Sequence, residues 1–168
     1  MRKILYHGSL EIISSPMYGQ GKVYNDYGQG FYCTESLELA KEWSCAERED
    51  GYVNQYEMDE TGLLILNLME KRYSVLHWLA ILMKYRKIRL SSAVMKRGRE
   101  WLLEHFLPDV DGYDVVIGYR ADDSYFSFAR AFVNNEISLA QLSYAMRLGK
   151  LGEQYVLKSQ KAFQAIHF

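Results

Sequence analysis

The amino-acid sequence predicts an α+β domain in which the first and last segments of the chain meet in one β-sheet. Short aromatic and aliphatic runs, typical of strands, stand near both ends of the chain, at residues 3–6 and 154–158. Between them, residues 74–106 carry apolar side chains at helical spacing. A length of 168 residues suits one hydrophobic core. We therefore expect a single domain over residues 1–168 with a helical insertion at about residues 74–107.

The first third of the chain is expected to hold two short strands, a long loop and a helix. Residues 3–6 form a β-like run that Gly8 should stop. Residues 14–30 contain a proline and four glycines, which is the composition of a loop. Residues 31–34 then predict a strand, and Ser36 suits the N-cap of a helix. The apolar side of that helix is formed by Leu39, Ala40 and Trp43.

Residues 52–58 and 63–68 are two further apolar runs, separated only by Asp59-Glu60-Thr61-Gly62. A short polar segment ending in glycine between two such runs is typical of a β-hairpin. We expect these two strands to pair with each other.

The middle of the chain predicts two packed helices, at residues 74–89 and 91–106. Pro108 should end the second helix, because proline cannot continue one. A buried strand at residues 113–119 follows, since this run is short and rich in β-branched side chains.

The last third predicts two more helices and the closing strands. Asp122 suits an N-cap, and residues 138–141 (Ser-Leu-Ala-Gln) read as a capping box that opens the next helix. Gly149 should end that helix. Residues 154–158 and 165–168 are the expected closing strands.

Composition excludes several classes of protein. The net charge is -1, so affinity for nucleic acid would need a local patch. The amino-terminal segment has no long apolar run of the kind a signal peptide needs, and no run is long enough to cross a bilayer. Two cysteines predict no disulfide framework, and four scattered histidines predict no metal site. We expect a cytoplasmic protein that does not associate with membranes.

Three segments carry the chemical signal: Tyr6-His7-Gly8-Ser9, then Tyr27-Gly28-Gln29-Gly30-Phe31-Tyr32-Cys33-Thr34, and then Trp43 in the following helix. In this order they resemble the diphtheria-toxin and poly-ADP-ribose-polymerase branch of the ADP-ribosyltransferase superfamily, whose site is a His, Tyr, Glu triad. With residues 119–126 and 148–159, the chain more narrowly resembles a bacterial domain-of-unknown-function family assigned to that superfamily. The resemblance implies a split β-sandwich and NAD as a substrate.

The resemblance also implies a role for each residue. His7 would bind a ribose of NAD, Gly8 would offer its backbone to the carboxamide of nicotinamide, and Ser9 would add a hydrogen bond. Tyr32 and Trp43 would form the aromatic walls around the nicotinamide ring. Gly30 and Phe31 belong to the same glycine-containing motif. Each of these residues also has an ordinary structural role open to it, such as core packing for an aromatic ring.

Gln154 stands where the family motif has its catalytic glutamate, immediately before Tyr155, and Glu153 lies one residue earlier. Neighbouring side chains in a strand point to opposite faces, so Glu153 could replace Gln154 only through a bulge. Three consequences stay open: a slower transferase, a carboxylate supplied from elsewhere, or a domain that binds NAD without turnover.

Two further polar groups have alternative interpretations. Arg120, beside Asp122 and Asp123, could hold the pyrophosphate of NAD, with Tyr125 on the acceptor side, although Asp122 is equally a simple helix cap. Basic residues are also concentrated between positions 84 and 99, where they could bind nucleic acid or an acidic partner, or form a solvated helix face. They are Lys84, Arg86, Lys87, Arg89, Lys96, Arg97 and Arg99.

The function that the resemblance implies is mono-ADP-ribosylation of an unknown acceptor. It also implies the role of a bacterial toxin component that an antitoxin protein neutralises. The alternative is a non-catalytic module that binds NAD or ADP-ribose. His7, Tyr32 and Gln154 are the catalytic candidates, and NAD is the only cofactor expected, as a substrate.

Overall fold

The computed structural model describes residues 1–45, 49–121, 123–148 and 152–168. These residues form two sheets and six helices, which confirms the α+β prediction. The strands are β1 (Arg2–Ser9), β2 (Phe31–Cys33), β3 (Tyr52–Asp59), β4 (Ile65–Asn67), β5 (Val115–Tyr119), β6 (Glu153–Leu157) and β7 (Ile166–His167). The helices are α1 (Leu37–Ser44), α2 (Val75–Tyr85), α3 (Ala93–Phe106), α4 (Asp123–Val133), α5 (Leu139–Leu148) and α6 (Gln160–Gln164).

The first sheet contains both ends of the chain. Its strand order is β1-β3-β7, and both neighbouring pairs are antiparallel. Leu5 of β1 lies opposite Tyr56, and His167 of β7 lies opposite Glu57 on the other edge of β3. β1 and β7, which lies within the predicted strand at residues 165–168, therefore share a sheet as predicted, with β3 between them. The run at residues 154–158 does not join them, because it forms β6 of the second sheet.

The second sheet has the order β2-β6-β5-β4, in which only the β4–β5 pair is parallel. Among the described residues, one isolated β-bridge connects it to the first sheet. Tyr6 of β1 and Thr34, just beyond β2, exchange two backbone hydrogen bonds with N···O distances of 2.7 and 2.9 Å. This bridge fixes the carboxyl end of β1 beside β2.

The predicted hairpin of residues 52–58 and 63–68 is wrong, because its two strands enter different sheets. The turn itself forms, with Gly62 at φ 75° and the Thr61 N–H donating to Asp59 Oδ1. Beyond the turn, Leu64 pairs with Asp114: the Asp114 N–H donates to the Leu64 carbonyl, and the Leu64 N–H donates to the Asp114 carboxylate, each over 2.8 Å. The turn thus carries the chain from one sheet to the other.

β1 does not stop at Gly8 as expected, but continues to Ser9 with Gly8 opposite Val53. A Cβ atom on Gly8 would lie 2.1 Å from the Ala40 carbonyl oxygen and 2.7 Å from the Ser44 nitrogen. Glycine at this position therefore allows α1 to pack directly against β1, and it does not interrupt the strand.

The two helices predicted in the middle of the chain are present as α2 and α3, which pack against each other. Ser74 and Ser92 cap their amino ends, and α3 ends at Phe106, just before Pro108 as predicted. α2 is buried along most of its length and joins the core formed on one face of the second sheet. Its fully buried members include Trp78, Leu79, Ile81 and Leu82.

α4 and α5 follow β5 and pack against each other. The predicted capping box at the start of α5 is confirmed: the Ser138 N–H donates to Gln141 Oε1 over 2.8 Å, and the Gln141 N–H donates to Ser138 Oγ over 3.2 Å. The predicted cap Asp122 and the predicted helix end Gly149 lie outside the described residues.

The described residue ranges contain neither a membrane-spanning helix nor a metal-binding cluster. None of their helices combines the length and apolar character needed to cross a bilayer. The same ranges contain no group of three or more His, Cys, Asp or Glu side chains arranged for a metal ion. Cys33 is buried and Cys45 is exposed, and both are free thiols.

Candidate functional site

A cavity of about 950 Å³ lies where β1 of the first sheet runs beside β2 and β6 of the second. Its walls come from these strands, α1, the segment after β5, and the loop that joins β1 to β2. Pockets for small ligands and cofactors commonly have volumes of roughly 300–1,000 Å³, so the cavity is large enough for a dinucleotide.

Eight of the nine predicted site residues line this cavity. They are His7, Gly8, Gly30, Phe31, Tyr32, Trp43, Arg120 and Gln154. Ser9, the ninth, is not among the described lining residues. The fold therefore collects side chains from distant parts of the chain at one place.

His7 of β1 is held by two residues of β2, in the other sheet. Its Nδ1 lies 2.6 Å from the carbonyl oxygen of Tyr32, and its ring lies 4.4 Å from that of Phe31 between centroids, at 32°. Because a carbonyl only accepts, Nδ1 must carry the proton. Burial lowers the pKa of His7, against the opposing effect of the Tyr32 hydrogen bond, so the ring is neutral at pH 7. Its Nε2 is then a hydrogen-bond acceptor.

The backbone of Gly8 points toward the cavity. Backbone groups along an antiparallel strand alternate in direction. Tyr6 directs its N–H and C=O to Thr34, away from β3. Two residues later, Gly8 directs its own N–H and C=O to the same side, which is the side where the cavity lies.

Tyr32 anchors the glycine-containing segment that precedes β2. Its hydroxyl accepts from the Tyr27 N–H over 3.0 Å and donates to the Gly28 carbonyl over 2.6 Å. Burial is the largest cause of a raised pKa for Tyr32, which therefore stays a neutral phenol. Gly30 packs closely against β6, because a Cβ there would lie 2.8 Å from the Leu157 carbonyl oxygen.

Trp43 and Arg120 form another wall of the cavity. The Arg120 guanidinium carbon lies 5.8 Å from the centre of the Trp43 ring, and its Nη1 lies 3.3 Å from Glu42 Oε2. The Glu42 side chain is 68% exposed, so this ion pair contributes little to stability. A ligand anion can compete for the Arg120 guanidinium at small cost.

Gln154 is 3% exposed and lines the cavity from β6. Its Nε2 donates to Asp26 Oδ2 and to the Tyr119 carbonyl, each over 3.2 Å. The Tyr119 carbonyl only accepts, so the amide nitrogen of Gln154 must face it, and Oε1 is the atom that can accept from a ligand. Glu153 is exposed, and the β5–β6 register is unbroken across it, so no bulge turns its side chain inward.

Asp26 is a lining residue that the sequence interpretation missed. Its carboxylate is 9% exposed and accepts the Ala121 N–H over 2.9 Å at Oδ2, while Oδ1 lies 3.5 Å from Arg86 Nη1. Burial raises the pKa of Asp26, opposed by the Ala121 hydrogen bond and by Arg86. The only sequence signal was a carboxylate inside a glycine-rich loop. No spacing rule predicts its contact with Gln154, 128 residues away.

Ser9 instead takes part in a network that holds the loop after β1. Its hydroxyl donates to the Glu11 carbonyl over 2.6 Å and accepts from Asn54 Nδ2 over 3.0 Å. Asn54, 2% exposed on β3, also accepts the Ile13 N–H over 2.8 Å. Glu11 and Ile13 line the cavity, so this network positions one wall of the site.

The sequence also singled out Asp122 and the basic residues at positions 84–99. Asp122 lies outside the described residues. Of the basic residues at positions 84–99, Lys84 lies 3.5 Å from Asp111, Arg86 reaches Asp26, and the Nε of Arg99 donates to the Met83 carbonyl. These three cations have separate partners within the protein, and binding of nucleic acid or an acidic partner by the basic residues stays a prediction.

A family model described as a protein of unknown function (DUF3990) matches residues 3–168. The chain belongs to this family. Every residue that lines the cavity falls inside the DUF3990 match, from His7 to Gln154. No curated protein and no solved structure matches the chain.

Proposed function

We propose that this protein is an NAD-dependent mono-ADP-ribosyltransferase. The observation that carries the proposal is the convergence of His7, Tyr32 and Gln154 on one cavity that Trp43 and Arg120 also line. Those residues occur in the order and spacing of the ADP-ribosyltransferase motif, and motif order alone would not require them to share a cavity.

Each group has a part of NAD to bind. The neutral His7 accepts a ribose hydroxyl at Nε2, and the cavity-directed backbone of Gly8 pairs with the carboxamide of nicotinamide. The rings of Tyr32 and Trp43 contact the faces of the nicotinamide. Arg120 exchanges its exposed partner Glu42 for the pyrophosphate, where a guanidinium can make bidentate contacts.

In the reaction, the bond between C1′ of the ribose and the nicotinamide nitrogen breaks, and the electron pair leaves with neutral nicotinamide. The ribose becomes cation-like, and the acceptor then bonds to C1′. Gln154 accepts a ribose hydroxyl at Oε1 and holds the sugar in place for this step. As a neutral amide, it adds no negative charge.

The sheet arrangement agrees with the proposal. A three-stranded sheet that includes both ends of the chain lies beside a four-stranded sheet, with a single bridge between them. We propose that this is the split β-sandwich of the ADP-ribosyltransferases. A cytoplasmic location and neutralisation by an antitoxin protein belong to the same proposal.

Nicotinamide release tests the activity. The purified protein is incubated with NAD, alone and with a cell lysate as a source of acceptors, and free nicotinamide is measured by chromatography. We expect release that requires the protein and that disappears in Tyr32→Ala. Absence of both release and NAD binding would rule the proposal out.

A second candidate is a module that binds NAD or ADP-ribose without turnover. The observation that favours it is the amide of Gln154 at the position where the family motif has a carboxylate. Retained NAD binding by calorimetry, with no nicotinamide release in any lysate, would favour the module over the transferase.

A further inference from the structure

Asp26 places a carboxylate beside the amide of Gln154. Its Oδ2 takes two hydrogen bonds, from the Ala121 N–H at 2.9 Å and from Gln154 Nε2 at 3.2 Å. Its Oδ1 has Arg86 at 3.5 Å as its neighbour among the described residues, a distance beyond a good hydrogen bond. Oδ1 is therefore the oxygen that can still interact with a ligand in the cavity.

Two cations oppose the rise in the pKa of Asp26 that its burial causes. Arg86 is the nearest cation, and Arg120 acts from a greater distance. The phenols of Tyr27 and Tyr32 also face this carboxylate, and both have raised pKa values, so they carry no charge at neutral pH. The guanidinium of Arg86 also lies 5.2 Å from the Phe126 ring centre, so it interacts with Phe126 as well as with Asp26.

A buried carboxylate beside a neutral amide needs an explanation. Gln154 uses its amide protons on Asp26 and Tyr119, so the carboxyl group that the triad position lacks lies one hydrogen bond away, on Asp26. Burying an ionised group costs free energy unless it has good partners. A hydrogen-bonded asparagine would orient Gln154 equally well without that cost.

We propose, on the basis of the proposed transferase function, that Asp26 is the catalytic carboxylate of this cavity. When the C1′–N bond breaks, nicotinamide leaves with the bonding pair and Asp26 Oδ1 stabilises the cation-like ribose. The lone pair of an acceptor hydroxyl, amine or water then forms the new bond to C1′, and the acceptor proton passes to water. Gln154 is oriented by Asp26 and positions the ribose.

Asp26→Asn tests this assignment, because it removes the charge and keeps an oxygen for Ala121 and Gln154. We expect nicotinamide release to fall by about 100-fold or more, the usual effect of losing one electrostatic contact to a transition state. The Kd for NAD, measured by calorimetry, should change by less than about threefold. Asp111→Asn is the matched control, since Asp111 is an ion-paired carboxylate outside the cavity lining.

A variant that exchanges the two side chains separates the effect of the carboxylate charge from the effect of the hydrogen bond between residues 26 and 154. Asp26→Asn combined with Gln154→Glu keeps one carboxylate, one amide and the hydrogen bond between them, and avoids the contact of two carboxylates that Gln154→Glu alone would create. We expect it to recover release to within about tenfold of wild type. If Asp26→Asn does not fold, nicotinamide release by the exchange variant still tests whether the cavity needs a carboxylate.

The outcomes distinguish the two proposals. Release by wild type and an equal rate in Asp26→Asn would overturn the role of Asp26 and leave the transferase intact. A folded exchange variant that stays inactive would also overturn it. A wild-type protein that neither binds NAD nor releases nicotinamide would overturn the transferase proposal and this assignment together.

Discussion

The imidazole Nδ1 of His7 donates a hydrogen bond of 2.6 Å to the backbone carbonyl of Tyr32, from one sheet to the other. This contact ties the two strands that form the base of the cavity and selects the tautomer of His7 that exposes an acceptor nitrogen. The side chain that the motif marks for ligand binding therefore also holds the two sheets in register.

Loss of the Tyr32 hydroxyl should destabilise the protein. Tyr32→Phe leaves the Tyr27 N–H and the Gly28 carbonyl without their partner, at an expected cost of about 1–3 kcal/mol. Urea denaturation measures this loss. Tyr144→Phe is the control, because Tyr144 is 63% exposed, and its stability should stay within about 0.5 kcal/mol of wild type. Equal stabilities for the two variants would contradict the anchoring role.

Trp43 should contribute directly to NAD affinity. We expect Trp43→Ala to weaken NAD binding by about 1–3 kcal/mol, the usual effect of removing an aromatic ring that stacks on a base. Isothermal titration calorimetry gives the Kd. Trp101 is 47% exposed on α3 and does not line the cavity, so Trp101→Ala should leave the Kd unchanged. A similar loss in both variants would indicate a general effect on folding.

Asn54 should control the loop that forms one wall of the cavity. Asn54→Ala removes the partners of Ser9, Glu11 and Ile13, so we expect faster proteolytic cleavage between residues 10 and 16 and weaker NAD binding. Gln55→Ala is the matched control, because Gln55 is the next residue on β3 and is exposed. Unchanged cleavage in Asn54→Ala would show that the loop is held by other contacts.

Ionisation of Asp26 should lower stability as pH rises. Its folded-state pKa is raised above the ordinary value of 3.8, so the folded protein binds the proton more tightly than the unfolded chain does. The free energy of unfolding therefore decreases, for this group, as pH increases from about 3.8 through the folded-state pKa. We expect Asp26→Asn to gain stability relative to wild type between pH 4 and pH 7, measured by urea denaturation. A difference that does not vary with pH would contradict the shifted pKa.

Local patterns predicted most of the helices and strands, because turns, caps and apolar spacing act over a few residues. The candidate site residues were named through the resemblance to the ADP-ribosyltransferases and not from such patterns. The pairing of strands depends on distant contacts, and the wrong hairpin illustrates this. The turn at Asp59 and Gly62 has the residues of an ordinary hairpin turn. However, the Leu64 N–H donates to the carboxylate of Asp114, 50 residues away, so the chain after the turn enters the other sheet. The local composition of residues 52–68 does not indicate which distant strand will pair with them.

Asp26 was missed for a related reason. A carboxylate in a glycine-rich loop is usually solvated, and its burial follows only from the arrival of Ala121 and Gln154 from distant segments. The role of Gly8 was likewise only partly predictable. Its missing Cβ serves the packing of α1 at Ala40 and Ser44, whereas the proposed ligand contact uses its backbone.

Binding of the nicotinamide end of NAD in the cavity is tested most directly by saturation-transfer-difference NMR with NAD. For the wild-type protein we predict strong transfer to the nicotinamide ring protons, lost in Trp43→Ala and retained in Trp101→Ala. No transfer to nicotinamide from the wild type, or transfer that Trp43→Ala leaves unchanged, would contradict nicotinamide binding against Trp43.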